Sequence, residues 1–136
     1  MAFKYLSLED ILRIHEDQLL NNGGGLPGVK DSALLDSALA SPEQAVFGKE
    51  VHETLFDKAG AYLFHIAKDH AFHDGNKRTG AVAARQFMLI NGMRLEPNED
   101  EFESLTRAAV EGQVNEEEVS EFIKRNSSID RGSPPG

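Results

Sequence analysis

The chain has 136 residues, with 14 Lys and Arg against 23 Asp and Glu, a formal net charge of −9 and no cysteine. At this length one domain is expected, with a core large enough to stand without disulfides or a structural metal. The acidic balance excludes a protein that coats nucleic acid or lies on anionic lipid, so no direct nucleic-acid or membrane partner is expected. The missing cysteine excludes a disulfide framework, a thiol nucleophile and any Cys-based metal centre. No secretory signal is visible from Met1 to Asp10, and Phe87-Met88-Leu89-Ile90 is far short of a membrane span. A cytoplasmic address fits these features.

Helix signals dominate from the start. Ser7 and Asp10 form a capping-box pattern, after which Leu8, Ile11, Leu12, His15 and Leu19 recur at helical spacing until Asn21-Asn22-Gly23. Asp31 caps a second, short helix with Leu34, Leu35, Ala38 and Leu39 on one face, closed before Pro42. Val46-Phe47, Gly48 and Val51 predict a small hairpin, the one clear strand signal. An apolar stripe of Phe56, Ala59, Leu63, Ile66 and Ala67 predicts a helix from about Leu55 to Asp69.

The stretch from Lys77 to Asn91, with Ala81, Ala84, Phe87, Met88 and Leu89, is apolar on much of its circumference and is expected in the middle of a bundle. Asn98 with Glu101 and Asn115 with Glu118 open two further helices under capping boxes. The expected class is all-α, a bundle of about six helices with a small hairpin. Residues 1–126 form the domain, and residues 127–136 have the composition of a disordered end or a cloning scar.

Three features invite a functional reading that their context does not support. Gly23-Gly24-Gly25-Leu26-Pro27-Gly28 matches G-x-G-x-x-G, but it follows a helix where a dinucleotide site needs a strand, so a helix C-cap and tight turn is expected. His65, His70, His73 and Asp74 lack the spacing of a transition-metal cluster, and His15 and His52 read as lone core-edge or surface histidines. Asn98-Glu99-Asp100-Glu101 and Glu116-Glu117-Glu118 read as first-turn charges that complement a helix dipole.

The segment from Asp69 to Thr79 differs from all of these. Gly75-Asn76-Lys77 at a helix start would turn successive backbone N–H groups toward an anion, and Lys77 and Arg78 add positive charge there. Asp74 is the kind of single carboxylate that Mg²⁺ takes beside phosphate oxygens. His70 is the side-chain type suited to accepting a hydroxyl proton near neutral pH, and Phe72 reads as an apolar peg that anchors the loop. Together these parts point to phosphoryl or nucleotidyl transfer.

His70-Ala71-Phe72-His73-Asp74-Gly75-Asn76-Lys77-Arg78 resembles the signature loop of the Fic/Doc superfamily, in particular its Doc (death-on-curing) branch. Fic enzymes read H-x-F-x-[DE]-G-N-G-R and the Doc branch reads H-x-F-x-[DN]-x-N-K-R. Gly24–Gly28 and Ala108–Gly112 look Doc-like as well, so the resemblance covers about residues 5 to 125.

The resemblance implies the Fic fold with the motif between two central helices, and a flap at the predicted hairpin that docks the target segment. It implies His70 as general base, Asp74 as the Mg²⁺ ligand, Gly75, Asn76, Lys77 and Arg78 around the phosphates of ATP, and Phe72 as the anchor. It further implies a type II toxin that phosphorylates a threonine of elongation factor Tu and arrests translation, restrained in trans by a Phd-like antitoxin. The chain shares Gly75 with the AMP-transferring Fic enzymes, yet Lys77 stands where they have glycine and Ala81 where they commonly have arginine. These departures favour γ-phosphoryl transfer over AMP transfer, and the intact His70, Asp74, Asn76 and Arg78 weigh against a non-catalytic antitoxin-binding module. No self-inhibitory [ST]-x-x-x-E-[GN] helix is found; Thr106 to Glu111 is one residue too long.

Overall fold

The computed structural model describes residues 2–132. It contains the helices α1 (Leu8–Asn21), α2 (Ser32–Ala40), α3 (Leu55–Lys68), α4 (Asn76–Ile90), α5 (Glu99–Val110) and α6 (Glu116–Arg125), with a 3₁₀ turn at Ser41–Glu43. Strands β1 (Ala45–Val46) and β2 (Lys49–Glu50) form the hairpin, and β3 (Met93–Leu95) pairs with β4 (Ser127–Ile129). The expected mostly helical class, the six helices and the hairpin are all present.

Local chemistry fixes where most helices begin. Ser7, Thr54 and Asn115 close full capping boxes with Asp10, Asp57 and Glu118. Asp31 and Asn98 accept from the Leu34 and Glu101 N–H groups at 3.0 Å each. Among the described residues no return bond completes a box at Asn98, so that cap is one-sided.

The middle of the bundle is α3 against α4. Gly80 permits their approach: a Cβ there would stand 2.9 Å from the Leu63 carbonyl oxygen and 3.1 Å from the Ala67 nitrogen. Tyr62, Leu63, Ile66, Phe87 and Met88 fill the space between, all essentially without solvent contact. The Tyr62 hydroxyl accepts from Leu6 N–H at 2.9 Å, and burial pushes the phenol up to about 12, so it holds the N-terminal arm as a neutral group.

α4 lies in the middle as expected, and α3 beside it is the more enclosed: Leu89 of α4 is 49% exposed, while Lys58 through Leu63 of α3 is buried without a break. Lys58 is tolerated there because its Nζ donates to the Pro42 carbonyl (3.0 Å) and Glu50 Oε1 (3.1 Å) and lies over the Phe3 and Tyr5 rings.

The hairpin turns through Phe47 and Gly48, both at positive φ (53° and 78°), the geometry whose twist matches two-residue hairpins. Phe47 is fully exposed at its tip. The expected disordered end does not hold for Ser127–Ile129. These residues pair antiparallel with Leu95, Arg94 and Met93, and Ser127 Oγ donates to the Ile123 carbonyl at 2.6 Å. Two serines give no burial signal, so only the backbone pairing with a distant segment reveals the strand. Residues 133–136 of that expected tail lie outside the described residues.

Candidate functional site

The loop from Asp69 to Gly75 is built by reciprocal fastening rather than by its own secondary structure. Phe72 is buried, and the Asn76 side chain closes on its backbone: Oδ1 accepts from Phe72 N–H and Nδ2 donates to Phe72 C=O, both at 3.0 Å. The ring of His15, on α1, stacks on Phe72 with centroids 3.8 Å apart and planes 9° off parallel. His15 Nε2–H donates to the Asp74 carbonyl at 2.8 Å; a carbonyl only accepts, so that nitrogen carries the proton. His70 adopts the left-handed conformation, φ 54°, and is exposed at the mouth of the loop. A non-glycine residue held there stores strain of order 1–3 kcal/mol, which the surrounding bonds must sustain.

A second segment grips the loop from outside. Lys30 and Asp31 N–H donate to the Ala71 carbonyl at 2.7 and 3.0 Å, and Val29 makes a bridge with Phe72. Leu26 N–H donates to Asp74 Oδ2 at 2.7 Å. Arg78 reaches back to the C-terminal end of α1, donating to the carbonyls of Gln18 (3.2 Å), Gly24 (2.8 Å) and Asn22. The glycine stretch that resembles a dinucleotide loop is therefore a strap. Gly23 and Gly25 suit it because they sit at φ 122° and 128°, where L side chains are strained, and a Cβ at Gly25 would also stand 2.8 Å from Asp74 Cβ.

The start of α4 is left open. Its N-cap is Gly75 at φ 78°, with no side-chain cap, and Lys77 and Arg78 occupy its first turn. The unspent N–H groups of that turn and the two cations give one positive spot in an acidic protein.

His70, Asp74, Gly75, Asn76, Lys77 and Arg78 share one cavity of about 360 Å³ with His73, Ala67 and Val110. Phe72 does not line it and lies beneath, against His15. The Asn76 side chain is spent on the loop, so its backbone N–H is what it can offer an anion. Arg78 uses three of its five donors on carbonyls and keeps the rest. A larger cleft of about 570 Å³ between α4, α5 and the end of α1 shares Lys77 and Arg78 with the cavity.

No three His, Asp or Glu side chains among the described residues gather into a set that could hold a metal alone. A cation at Asp74 would need phosphate oxygens and water to complete its shell, which is how Mg²⁺ is ordinarily held. The donors present, one exposed carboxylate beside an uncapped helix start, fit a Mg²⁺–nucleotide phosphate group.

Sequence reasoning missed three contributors. His15 is 4% exposed and supports the loop; its place on the apolar spacing of α1 was the available signal. His52 is buried as well, and donates to Glu116. Glu116, read as one more first-turn charge, accepts from two histidines on other elements.

Helical topology, a hairpin beside the core and a histidine loop running into an uncapped helix define the class. Residues 5–88 match the family model of the Fic/DOC family, and the chain belongs to that family. It is 42% identical over 92 residues to Toxin Doc of Mycolicibacterium smegmatis, covering 68% of each chain. It is 29% identical over 122 residues to Protein kinase doc of Escherichia phage P1, covering 90% of this chain and 94% of that one. Among the described residues no helix is long and apolar enough to cross a membrane.

Proposed function

We propose that the chain is a toxin of the Doc type, a phosphotransferase that moves the γ-phosphoryl group of ATP to a hydroxyl of a translation factor such as elongation factor Tu. The observation that carries this reading is the shared cavity: His70, Asp74 and the uncapped first turn of α4 face the same 360 Å³. His70 accepts the proton of the incoming hydroxyl as its oxygen bonds to phosphorus and the bond to the departing ADP breaks. Asp74 would hold Mg²⁺, which would neutralise charge on the phosphate oxygens. The backbone N–H groups at Asn76 and Lys77, with the Lys77 ammonium and the remaining Arg78 donors, bind the phosphates. Lys77 fills with a cation the space a glycine would leave, which favours the γ-phosphate at His70.

Restraint comes from a separate antitoxin chain of the Phd-like kind, since the sequence carries no inhibitory helix of its own. The 570 Å³ cleft supports such a partner, because any segment lying there also meets Lys77 and Arg78. Incubation of the protein with a cell lysate and ATP labelled separately at the α and γ positions tests the reaction. Label from γ alone is expected. Label from α means AMP transfer instead, and no label from either means a binding module. Expressed alone the chain should arrest growth, and co-expression of its genomic neighbour should relieve it. Harmless expression, with transfer switched on by a change within the chain, contradicts restraint in trans.

A further inference from the structure

Away from the cavity, one cluster joins three elements through a single carboxylate. Glu116, the first residue of α6, accepts from His52 Nε2–H on Oε2 (2.8 Å) and from His65 Nε2–H on Oε1 (2.7 Å). His52 lies two residues beyond β2, and Val51 between them donates to the Gln44 carbonyl at 2.9 Å, closing the hairpin stem. His65 lies in the last turn of α3, where Asp69 caps the helix with its N–H on the His65 carbonyl at 3.0 Å. The other face of the His65 ring meets Asp69, Nδ1 to Oδ2 at 3.7 Å. Asp69 is followed directly by His70.

The two imidazoles are not equivalent. His52 Nδ1 is buried and has no partner, so His52 joins the cluster through Nε2 alone. His65 stands between two carboxylates, Glu116 and Asp69, and both of its ring nitrogens gain from being protonated. Asp57 on α3, held by Ser120 Oγ at 2.6 Å, is a further acid near His52. Both carboxylates thus favour the protonated form of His65 at the end of α3.

From this juxtaposition we infer that Glu116 is a positioning residue that ties the hairpin stem, through His52, to the end of α3 that carries His70, through His65 and Asp69. The hairpin and the start of the motif loop then hold one relative placement, set by side chains that never touch the cavity. Under the reading above, on which this consequence for catalysis rests, a loosened tie raises KM for the protein target more than it lowers kcat, because the phosphate site is untouched. The tie itself can be tested without any substrate.

Amide hydrogen exchange and imidazole NMR of Glu116→Gln are the test, with His65→Gln as the companion variant. Glutamine removes the negative charge that both imidazoles bond to and keeps a single acceptor oxygen, so the substitution weakens the tie to both histidines. Exchange at Val51 and Asp69 should both quicken about tenfold, while amides in the middle of α3 and α4 keep their rates. The His65 titration midpoint should fall toward 6.5, its ordinary value. His65→Gln should quicken the same two amides. The inference is overturned if the Val51 rate is unchanged, if Val51 quickens while Asp69 does not, or if the His65 midpoint stays where it is. None of those results would bear on the reading of the cavity, which label transfer decides separately.

Discussion

Two helix starts in this molecule are opposites. At α6, Asn115 and Glu118 close a capping box, three glutamates fill the first turn, and Glu116 turns aside to accept from two histidines. At α4, a left-handed glycine leaves the turn uncapped and two cations stand where acids would be favourable. The other four α-helices side with α6, each opening under a side chain that accepts from its N3 backbone N–H. Among the described residues, five of the six α-helices are capped and one is left bare under a histidine and a carboxylate, the end that the proposed reaction assigns to the phosphates. The lesson is that capping stability is forgone at the α4 start alone and secured at the other five.

The largest effect expected is on chemistry at the bare end. His70→Ala should lower transfer by about 10²–10⁴-fold, the usual loss of a general base, with the thermal midpoint little changed because His70 is exposed. Near-full transfer by that variant, read by label incorporation, would separate the bare helix start from catalysis. Next comes the support beneath it. Phe72→Ala removes a buried ring and its stack on His15, and should destabilise by about 3–5 kcal/mol in denaturant unfolding. A loss under about 1 kcal/mol would mean that the loop stands without its anchor.

Lys77→Gly should weaken γ-phosphoryl transfer about tenfold, in keeping with one charge-assisted contact, and mass spectrometry of the target distinguishes phosphate from AMP. Unchanged phosphorylation would show that the cation at this helix start does not set the nucleotide pose. At the capped end, Asn115→Ala should cost about 1 kcal/mol of stability and leave Mg·ATP affinity alone. A fall in nucleotide affinity there would erase the contrast between the two ends.

The smallest effect is a pH dependence. The hydrogen bond to Glu116 is the main cause that holds the His65 pKa above 6.5 against burial, with Asp69 adding to it. The same bond holds Glu116 below 4.5. A raised histidine pKa contributes stability that is complete below 6.5 and is lost as pH rises through the folded-state value. A lowered glutamate pKa contributes above 4.5 and is lost as pH falls through its folded-state value. Between about pH 5.5 and about pH 8.5 the thermal midpoint of the protein should therefore drop more than that of His65→Gln. Equal drops would mean that the pair adds nothing to the capped end.

The capping residues Ser7, Asp31, Asn98 and Asn115 were legible in the sequence because each acts within three residues of itself. Thr54 with Asp57 obeys the same rule, although the reading began that helix from its apolar stripe alone. Residues of the motif were legible because nine neighbours carry them. What could not be read was anything that depends on a partner far along the chain. His15 meets Phe72 and Asp74, Arg78 meets the end of α1, Leu26 meets Asp74, and Glu116 meets His52 and His65. The glycine strap shows the limit well: its turn geometry was foreseen, while its grip on the motif needed the fold.

The measurement that bears most directly on the central claim is an NMR titration of the ¹⁵N-labelled protein with Mg·ATP, following the backbone amides at all six helix starts. The account predicts the largest shifts at Asn76, Lys77 and Arg78, with the amides at the starts of α1, α2, α3, α5 and α6 unmoved. Shifts centred on any of those five, or none at the α4 start, would contradict it.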